Sequence, residues 1–283
     1  MGYHSATLFD LLNGDLLESW TTLSALAAVT EHIRLTPMVL ANTYRPPALL
    51  AKMASTLDVI SGGRLELGIG AGGGRGDHQA SGYAFPSTRV RVAMLEEAME
   101  VIKRLWIQPK ADFQGTYYTL DQASNEPKPL QKPHPPLLIG GHGERYLLKA
   151  VARHADICNI GSEMSLEEHR AKLDVLERYC REVGRDPAEI EVTHNARLII
   201  SENQQAFDSK SAHAASHANT SVSDYKQSIS GAIAGTPEQC IQQIESYVQA
   251  GIRYFMLIFQ DPVSVEDLQL FAREVMPHFA TRS

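Results

Sequence analysis

Residues Ala48–Gly76 read ALLAKMASTLDVISGGRLELGIGAGGGRG, and the fold follows from this stretch. Its first part has helical spacing and stops at Ser61-Gly62-Gly63. A short apolar run follows, Leu65-Glu-Leu-Gly-Ile69. It breaks into Gly68, Gly70, Gly72, Gly73, Gly74 and Gly76. Helix, tight turn, buried strand and glycine loop make one αβ unit. A glycine loop at the end of a buried parallel strand lets main-chain N–H groups approach a ligand closely, because no Cβ intervenes. In α/β proteins that end of the strand is where ligands bind.

Working outward, strand-like runs alternate with helical ones. Strands are expected at Ser5–Phe9, Ile33–Leu40, Leu65–Ile69, Leu137–Ile139, Ala155–Ile160, Glu191–Ile199 and Tyr254–Phe259. Helices are expected at Glu18–Thr30, Ala48–Ile60, Arg89–Trp106, Arg145–Arg153, Leu166–Val183, Pro237–Ala250 and Val265–Phe279. Thr236-Pro237-Glu238 and Ser165-Leu-Glu-Glu168 are helix starts. Gly62, Gly184 and Gly251 are helix stops. Alternation of this kind means a parallel sheet with helical crossovers. Seven strands are counted, where a closed (β/α)8 barrel takes eight. Two stretches fall outside the alternation. Gln108–Pro136 holds a hairpin at Asp112–Leu120 and a proline-rich approach. Ser201–Ala234 is polar. Such insertions serve as lids, binding loops or dimer contacts.

The chain has 283 residues, a length normal for one α/β barrel, and 43% hydrophobic residues, enough for a large core. Its formal net charge of −7 argues against a nucleic-acid partner. Cys158, Cys180 and Cys240 are scattered and odd in number, which indicates neither a disulfide framework nor a zinc site. No run of eighteen apolar residues and no charged-then-apolar leader is present. The expectation is a cytoplasmic protein with no membrane or metal partner.

Four segments carry candidate chemistry. Gly68-x-Gly70-x-x-Gly73 matches a dinucleotide fingerprint formally, but Arg75–Gly82 reads as loop where that fingerprint opens into a helix. A glycine turn without a ligand is the alternative. Strand Leu137–Ile139 runs into Gly140, Gly141, His142 and Gly143 with a helix start near Glu144, the form of a phosphate cradle. Asp10 ends the first strand, on the catalytic face of a barrel, or caps the turn that follows. Ile33–Arg45 ends in Asn42, Thr43, Tyr44 and Arg45, with Asn42 suited to hydrogen-bond a ring carbonyl or N–H. His213 and His217, four apart, read as a solvated helix face. No GxSxG motif, P-loop or hydrolytic triad is present.

Taken together, the chain resembles the bacterial luciferase-like family of flavin- or F420-dependent oxidoreductases. The resemblance rests on Trp20–Ala28, Asn42–Arg45 with Ala48–Met53, Leu57–Gly72, Pro135–Gly141, Ala152–Asp156 and Gly235–Gln239, in the family's order. It implies a TIM-type (β/α)8 barrel with insertions, one domain over 1–283 with insertions at about 107–136 and 201–234, and a homodimer. It implies that the cofactor ring rests against Met38, Val39, Ala41 and Asn42, with a cis peptide near Met38-Val39. Gly70, Ala71 and Gly72 line the ring or its chain, and Gly140, Gly141, His142 and Gly143 take the phosphate. Asp10 belongs to the same cofactor site.

Three departures matter. Relatives usually carry Asp-His where this chain has Asp10-Leu11, and some deazaflavin sugar dehydrogenases have a glutamate where this chain has Gly73. On the resemblance, the family's first strand and most of its first helix are expected to have no counterpart in these residues. The resemblance points to hydride transfer between coenzyme F420 and a small organic substrate. The alternatives are an FMN-dependent monooxygenase, a cofactor-binding protein without turnover, or an unrelated phosphosugar barrel. Asp10 and His142 are the candidate catalytic residues, with His78 a second candidate proton donor.

Overall fold

The computed structural model describes residues 1–259 and 263–280. They fall into two compact units: His4–Asn159 with Val175–Ile190, and Met1–Tyr3 with Ile160–Asp174 and the chain from Glu191.

The first unit opens with β1 (Ser5–Leu8), α1 (Ser19–Val29), β2 (Arg34–Pro37), β3 (Leu40–Ala41), α2 (Pro47–Ser61) and β4 (Leu67–Gly70). It continues with α3 (Arg75–Ala80), α4 (Thr88–Ile107), β5 (Ala111–Gln114), β6 (Thr119–Ala123), β7 (Leu137–Gly140) and α5 (Leu147–His154). β8 (Ile157–Ser162) and α6 (Leu166–Val183) each pass from one unit into the other. β1 pairs with β2, β3 with β4, β4 with β7 and β7 with β8, all parallel. All of β4 and Leu137–Ile139 are buried, as a parallel strand covered on both faces requires.

Local signals set the helix ends. α2 starts on Pro46-Pro47 and stops at Gly62, whose φ of 69° is left-handed. The Glu18 carboxylate accepts from Trp20 N at 3.0 Å and Thr21 N at 2.7 Å to start α1. α4 buries Val92, Leu95, Met99, Ile102 and Leu105, a three-and-four spacing along one face. Trp106 closes that face and donates its indole N–H to the Ala51 carbonyl at 3.0 Å.

The second unit contains β9 (Glu191–Ile200), α7 (Gln204–His217), α8 (Val222–Ser228), β10 (Ile233–Gly235), α9 (Pro237–Gln249), β11 (Tyr254–Phe259), α10 (Val265–Glu274) and α11 (Met276–Ala280). β10 and β11 both pair in parallel with β9. Ala196, Leu198, Ile200, Ile233, Cys240, Ile244, Leu270 and Phe271 make its main core. Thr236 and Gln239 cap α9 reciprocally.

The structure departs from the sequence expectation in several places. The strand expected at Ile33–Leu40 is interrupted between β2 and β3, where the Met38–Val39 peptide is cis, as the resemblance implies. Arg75–Ala80, expected as loop, is helical. The polar stretch Ser201–Ala234 carries α7, α8 and β10; α7 buries only Phe207, Ser211 and Ala215, too thin a stripe to show as amphipathic sequence. The helix expected at Val265–Phe279 breaks at Val275, because Pro277 has no N–H to continue the ladder.

Candidate functional site

The candidate residues gather where the strands of the first unit end. Ile69 lies opposite Ile139, and Ala41 opposite Gly70, so β3, β4 and β7 reach their C-terminal ends side by side. The glycine loop after Ile69 and the one after Ile139 therefore leave the sheet together. Asn42 continues β3 and donates its main-chain N–H to the Gly70 carbonyl at 3.0 Å.

Several of these glycines have a packing reason that the sequence does not display. A Cβ on Gly68 would overlap the Pro37 carbonyl oxygen. A Cβ on Gly70 would lie 2.9 Å from Val39 Cγ2, and one on Gly140 would lie 2.8 Å from Val39 Cγ1. The Val39 side chain thus lies across the ends of β4 and β7 and gives the site an apolar surface. Gly72 has a φ of 84°, and its Cβ would press on Thr43 Oγ1 at 2.8 Å. Gly73 meets nothing within 4 Å.

Asn42 is 2% exposed. One end of its side-chain amide reaches the Tyr118 hydroxyl at 3.4 Å, and the other is buried with no partner. An unpaired buried amide oxygen costs on the order of 1–3 kcal/mol, and a ligand N–H relieves it. Tyr118 sits in the turn between β5 and β6. Glu97 of α4 holds that turn, accepting from the N–H groups of Thr116, Tyr117 and Tyr118 at 2.7, 2.8 and 3.1 Å. Burial raises the Tyr118 phenol above its usual range, so the hydroxyl stays neutral. Sequence reasoning missed Tyr118 and Glu97, since a hairpin's turn gives no hint of what it leans on.

Asp10 is buried, and its acceptor positions are filled. Oδ2 takes Ala41 N at 2.9 Å and Arg45 Nη1 at 2.8 Å; Oδ1 takes Arg45 Nη2 at 2.9 Å and Ser19 Oγ at 3.2 Å. Arg45 also meets Glu18 at 2.9 Å. Burial works against the Arg45 charge, but Asp10 and Glu18 outweigh it and hold its pKa above the usual value. With both oxygens engaged, Asp10 fixes the end of β3 and has no acceptor position left for a substrate.

His78 is fully buried. Its ring meets Thr43 Oγ1 at 2.6 Å, the Gly74 carbonyl at 3.0 Å and Tyr44 OH at 3.4 Å. It ties α3 to the segment after β3 and is no exposed proton donor. Arg91 adds a second tie, donating from Nε to the Gly72 carbonyl at 3.1 Å. His142, in contrast, is exposed on the loop after β7. The α5 helix begins at Leu147, three residues later than the start near Glu144 that its sequence suggests. Met38 and Ala41 are buried beside Asn42. His213 and His217 form a ring pair on α7 in the second unit. Among the described residues no group of three or more His, Cys, Asp or Glu is placed to hold a metal. No described helix is long and apolar enough to cross a membrane.

Comparison with known proteins gives this geometry a family. The family model described as luciferase-like monooxygenase matches residues 1–232. The chain is 26% identical over 291 residues to the FMNH2-dependent dimethylsulfone monooxygenase of Pseudomonas putida, covering 92% of this chain and 78% of the relative. It is 28% identical over 283 residues to the F420-dependent glucose-6-phosphate dehydrogenase of Amycolatopsis mediterranei, covering 89% and 81%. The match to an uncharacterised protein of Mycobacterium tuberculosis, 37% identical over 140 residues, takes in half of this chain and 48% of that protein. The chain thus spans about half the length of the first curated relatives it matches. Among solved structures, the F420-dependent tetrahydromethanopterin reductase of Methanopyrus kandleri superposes with a TM-score of 0.79 at 20% identity, covering 98% of this chain and 92% of the reductase. At that identity the likeness shows the fold alone, which is α/β of the TIM-barrel type. With four-fifths of its length matched by the family model and the strand-end glycines, the cis peptide and the buried Asn42 in one place, this chain belongs to the luciferase-like monooxygenase family.

Proposed function

We propose that this chain is an oxidoreductase that exchanges hydride between coenzyme F420 and a small organic substrate. The observation that carries the reading is Asn42. It is a buried amide with one end unpaired, at the end of β3 and beside β4, which ends in glycine as its neighbour β7 does. Its free end suits a ring N–H of a flavin-type heterocycle. When bound, such a cofactor supplies the hydride chemistry. Val39 supports the ring through its apolar side chain, with Met38 and Ala41 alongside. The main chain of Gly70, Ala71 and Gly72 lines its edge, and Gly140, Gly141, His142 and Gly143 take its phosphate. Asp10 acts as a positioning residue that holds Ala41 and Asn42 in register. The exposed His142 imidazole is the group available to move a proton.

FMN is the second reading, because an FMNH2-dependent relative covers 92% of the chain. We further propose that residues 1–283 work as one domain, as a homodimer in the cytoplasm. The test is a titration of purified protein with F420 and with FMN, followed by absorbance and fluorescence. Micromolar binding of F420, tighter than FMN by tenfold or more, is expected. The reverse order moves the assignment to FMN. A folded sample that binds neither overturns it.

A further inference from the structure

The segment that follows β1 has a composition unusual for an exposed loop. Phe9, Leu11, Leu12, Leu16 and Leu17 are 41%, 43%, 36%, 54% and 77% exposed. Isolated exposed apolar side chains need no explanation, but five within nine residues form a patch, and such patches mark ligand or partner sites.

Two anchors fix where this patch lies. At one end Asp10 holds Ala41 N at 2.9 Å, next to Asn42. At the other, Asn13 Nδ2 reaches the Asp77 carbonyl at 3.3 Å and Ser81 Oγ at 3.3 Å on and beside α3, the helix that follows the glycine loop. Leu11 and Leu12 therefore sit on a bridge between the end of β3 and the far side of the Gly70–Gly74 loop. The bridge therefore runs beside the end of β3, where Asn42 lies, and this position favours a substrate-facing role.

The ion pair that anchors the bridge at Asp10 is already used. Both Asp10 oxygens are filled, and Arg45 is spent on Asp10 and Glu18. Val39 adds an apolar surface at the ends of β4 and β7. A phosphorylated sugar calls for cations, whereas residues 9–17 carry two carboxylates, Asp10 and Asp15, and no Lys or Arg.

Resting on the site reading above, we infer that Phe9, Leu11 and Leu12 form an apolar wall that selects substrates with an aliphatic chain over phosphorylated sugars. Leu11 and Leu12 are its specificity-determining residues. The wall binds the chain by removing its methylenes from water, each worth about 0.8 kcal/mol, or three- to fourfold in affinity.

The test uses the full chain, with 1-anilinonaphthalene-8-sulfonate as the reporter, displaced by primary alcohols from butan-1-ol to decan-1-ol and by glucose 6-phosphate. Displacement should strengthen about three- to fourfold with each methylene, and glucose 6-phosphate should leave the dye bound. The double variant Leu11→Ser with Leu12→Ser, checked by circular dichroism to be folded, should weaken decanol tenfold or more and flatten the series. A flat series in the native protein overturns the inference, and so does an unchanged series in the double variant. Displacement by glucose 6-phosphate at matched concentration overturns it as well. Sedimentation separates the remaining case: if the double variant turns a dimer into a monomer, a second copy covers the segment and the wall is not substrate-facing. F420 and FMN titrations of the same samples fail independently of the alcohol series, so a wrong cofactor reading and a wrong wall give different results.

Discussion

Arg45 closes both terminal nitrogens of its guanidinium on Asp10, Nη1 to Oδ2 at 2.8 Å and Nη2 to Oδ1 at 2.9 Å. The Asp10 side chain is 1% exposed and that of Arg45 13%. The pair links the end of β1 to the segment after β3. Asp10→Asn keeps the shape but removes the charge and turns an N–H toward donors. Removing one partner of a buried pair costs about 3–5 kcal/mol. Urea unfolding should show a loss in that range, with cofactor affinity falling alongside because Ala41 loses its acceptor. A variant of native stability would show that Asp10 is not the anchor.

Asn42 separates stability from binding. Its unpaired amide end gives the fold nothing, while a bound ring relieves it. Asn42→Leu should leave the melting temperature unchanged or raised and weaken cofactor binding tenfold or more in a fluorescence titration. Equal binding by variant and native protein would remove Asn42 from the site.

The glycines should rank by what surrounds them. Gly68→Ala drives a methyl into the Pro37 carbonyl and should prevent folding or cost several kcal/mol. Gly73→Ala meets nothing within 4 Å and should be neutral. Gly76 lies in α3 with open space around it, so Gly76→Ala should stabilise by up to about 1 kcal/mol. Thermal melts of the three variants check the order, and a neutral Gly68→Ala would break it.

Acid should weaken the second unit through His194. Its ring is fully buried, stacked on Tyr247 at 4.0 Å and 5.2 Å from the His169 ring, with neither nitrogen of either histidine paired. Burial, then the neighbouring His169, pushes His194 down to about 4 against a weaker pull from Glu163. An unfolded histidine titrates near 6.5. Between those values the unfolded chain binds the extra proton, so stability falls as pH drops. The contribution is complete above about 6.5 and exhausted below about 4, with a ceiling of about 3 kcal/mol. Urea midpoints at pH 7.5 and 5.0 should differ, and His194→Phe should narrow the gap without lowering the pH 7.5 value. His154, also pushed to about 4 by burial and nearby cations, keeps part of the gap in that variant.

The run from Leu57 to Gly72 made the fold readable, because helix stop, buried strand and glycine loop are each written in residue type. β10 was not readable: three residues, Ile233-Ala-Gly235, carry no period. α3 was hidden by Gly74 just before it and Gly76 inside it, which read as loop. At the site, Asn42 and the glycine rows were visible as residue types at strand ends. What remained invisible depended on distance in the chain. Nothing near Asp10 announces that Arg45 consumes it, and nothing near His78 announces Thr43 and Tyr44. The glycines of β4 read as room for a ligand, whereas Val39 occupies part of that room.

Because one carboxylate, Glu97, grips three consecutive amides of the β5–β6 turn, the reach of the Tyr118 hydroxyl is fixed from a neighbouring helix and not by the turn itself. The hairpin is therefore a measured arm. Lengthening it by even one residue, or shifting α4 by one turn, would carry its tip off Asn42 while leaving every strand of the barrel in place.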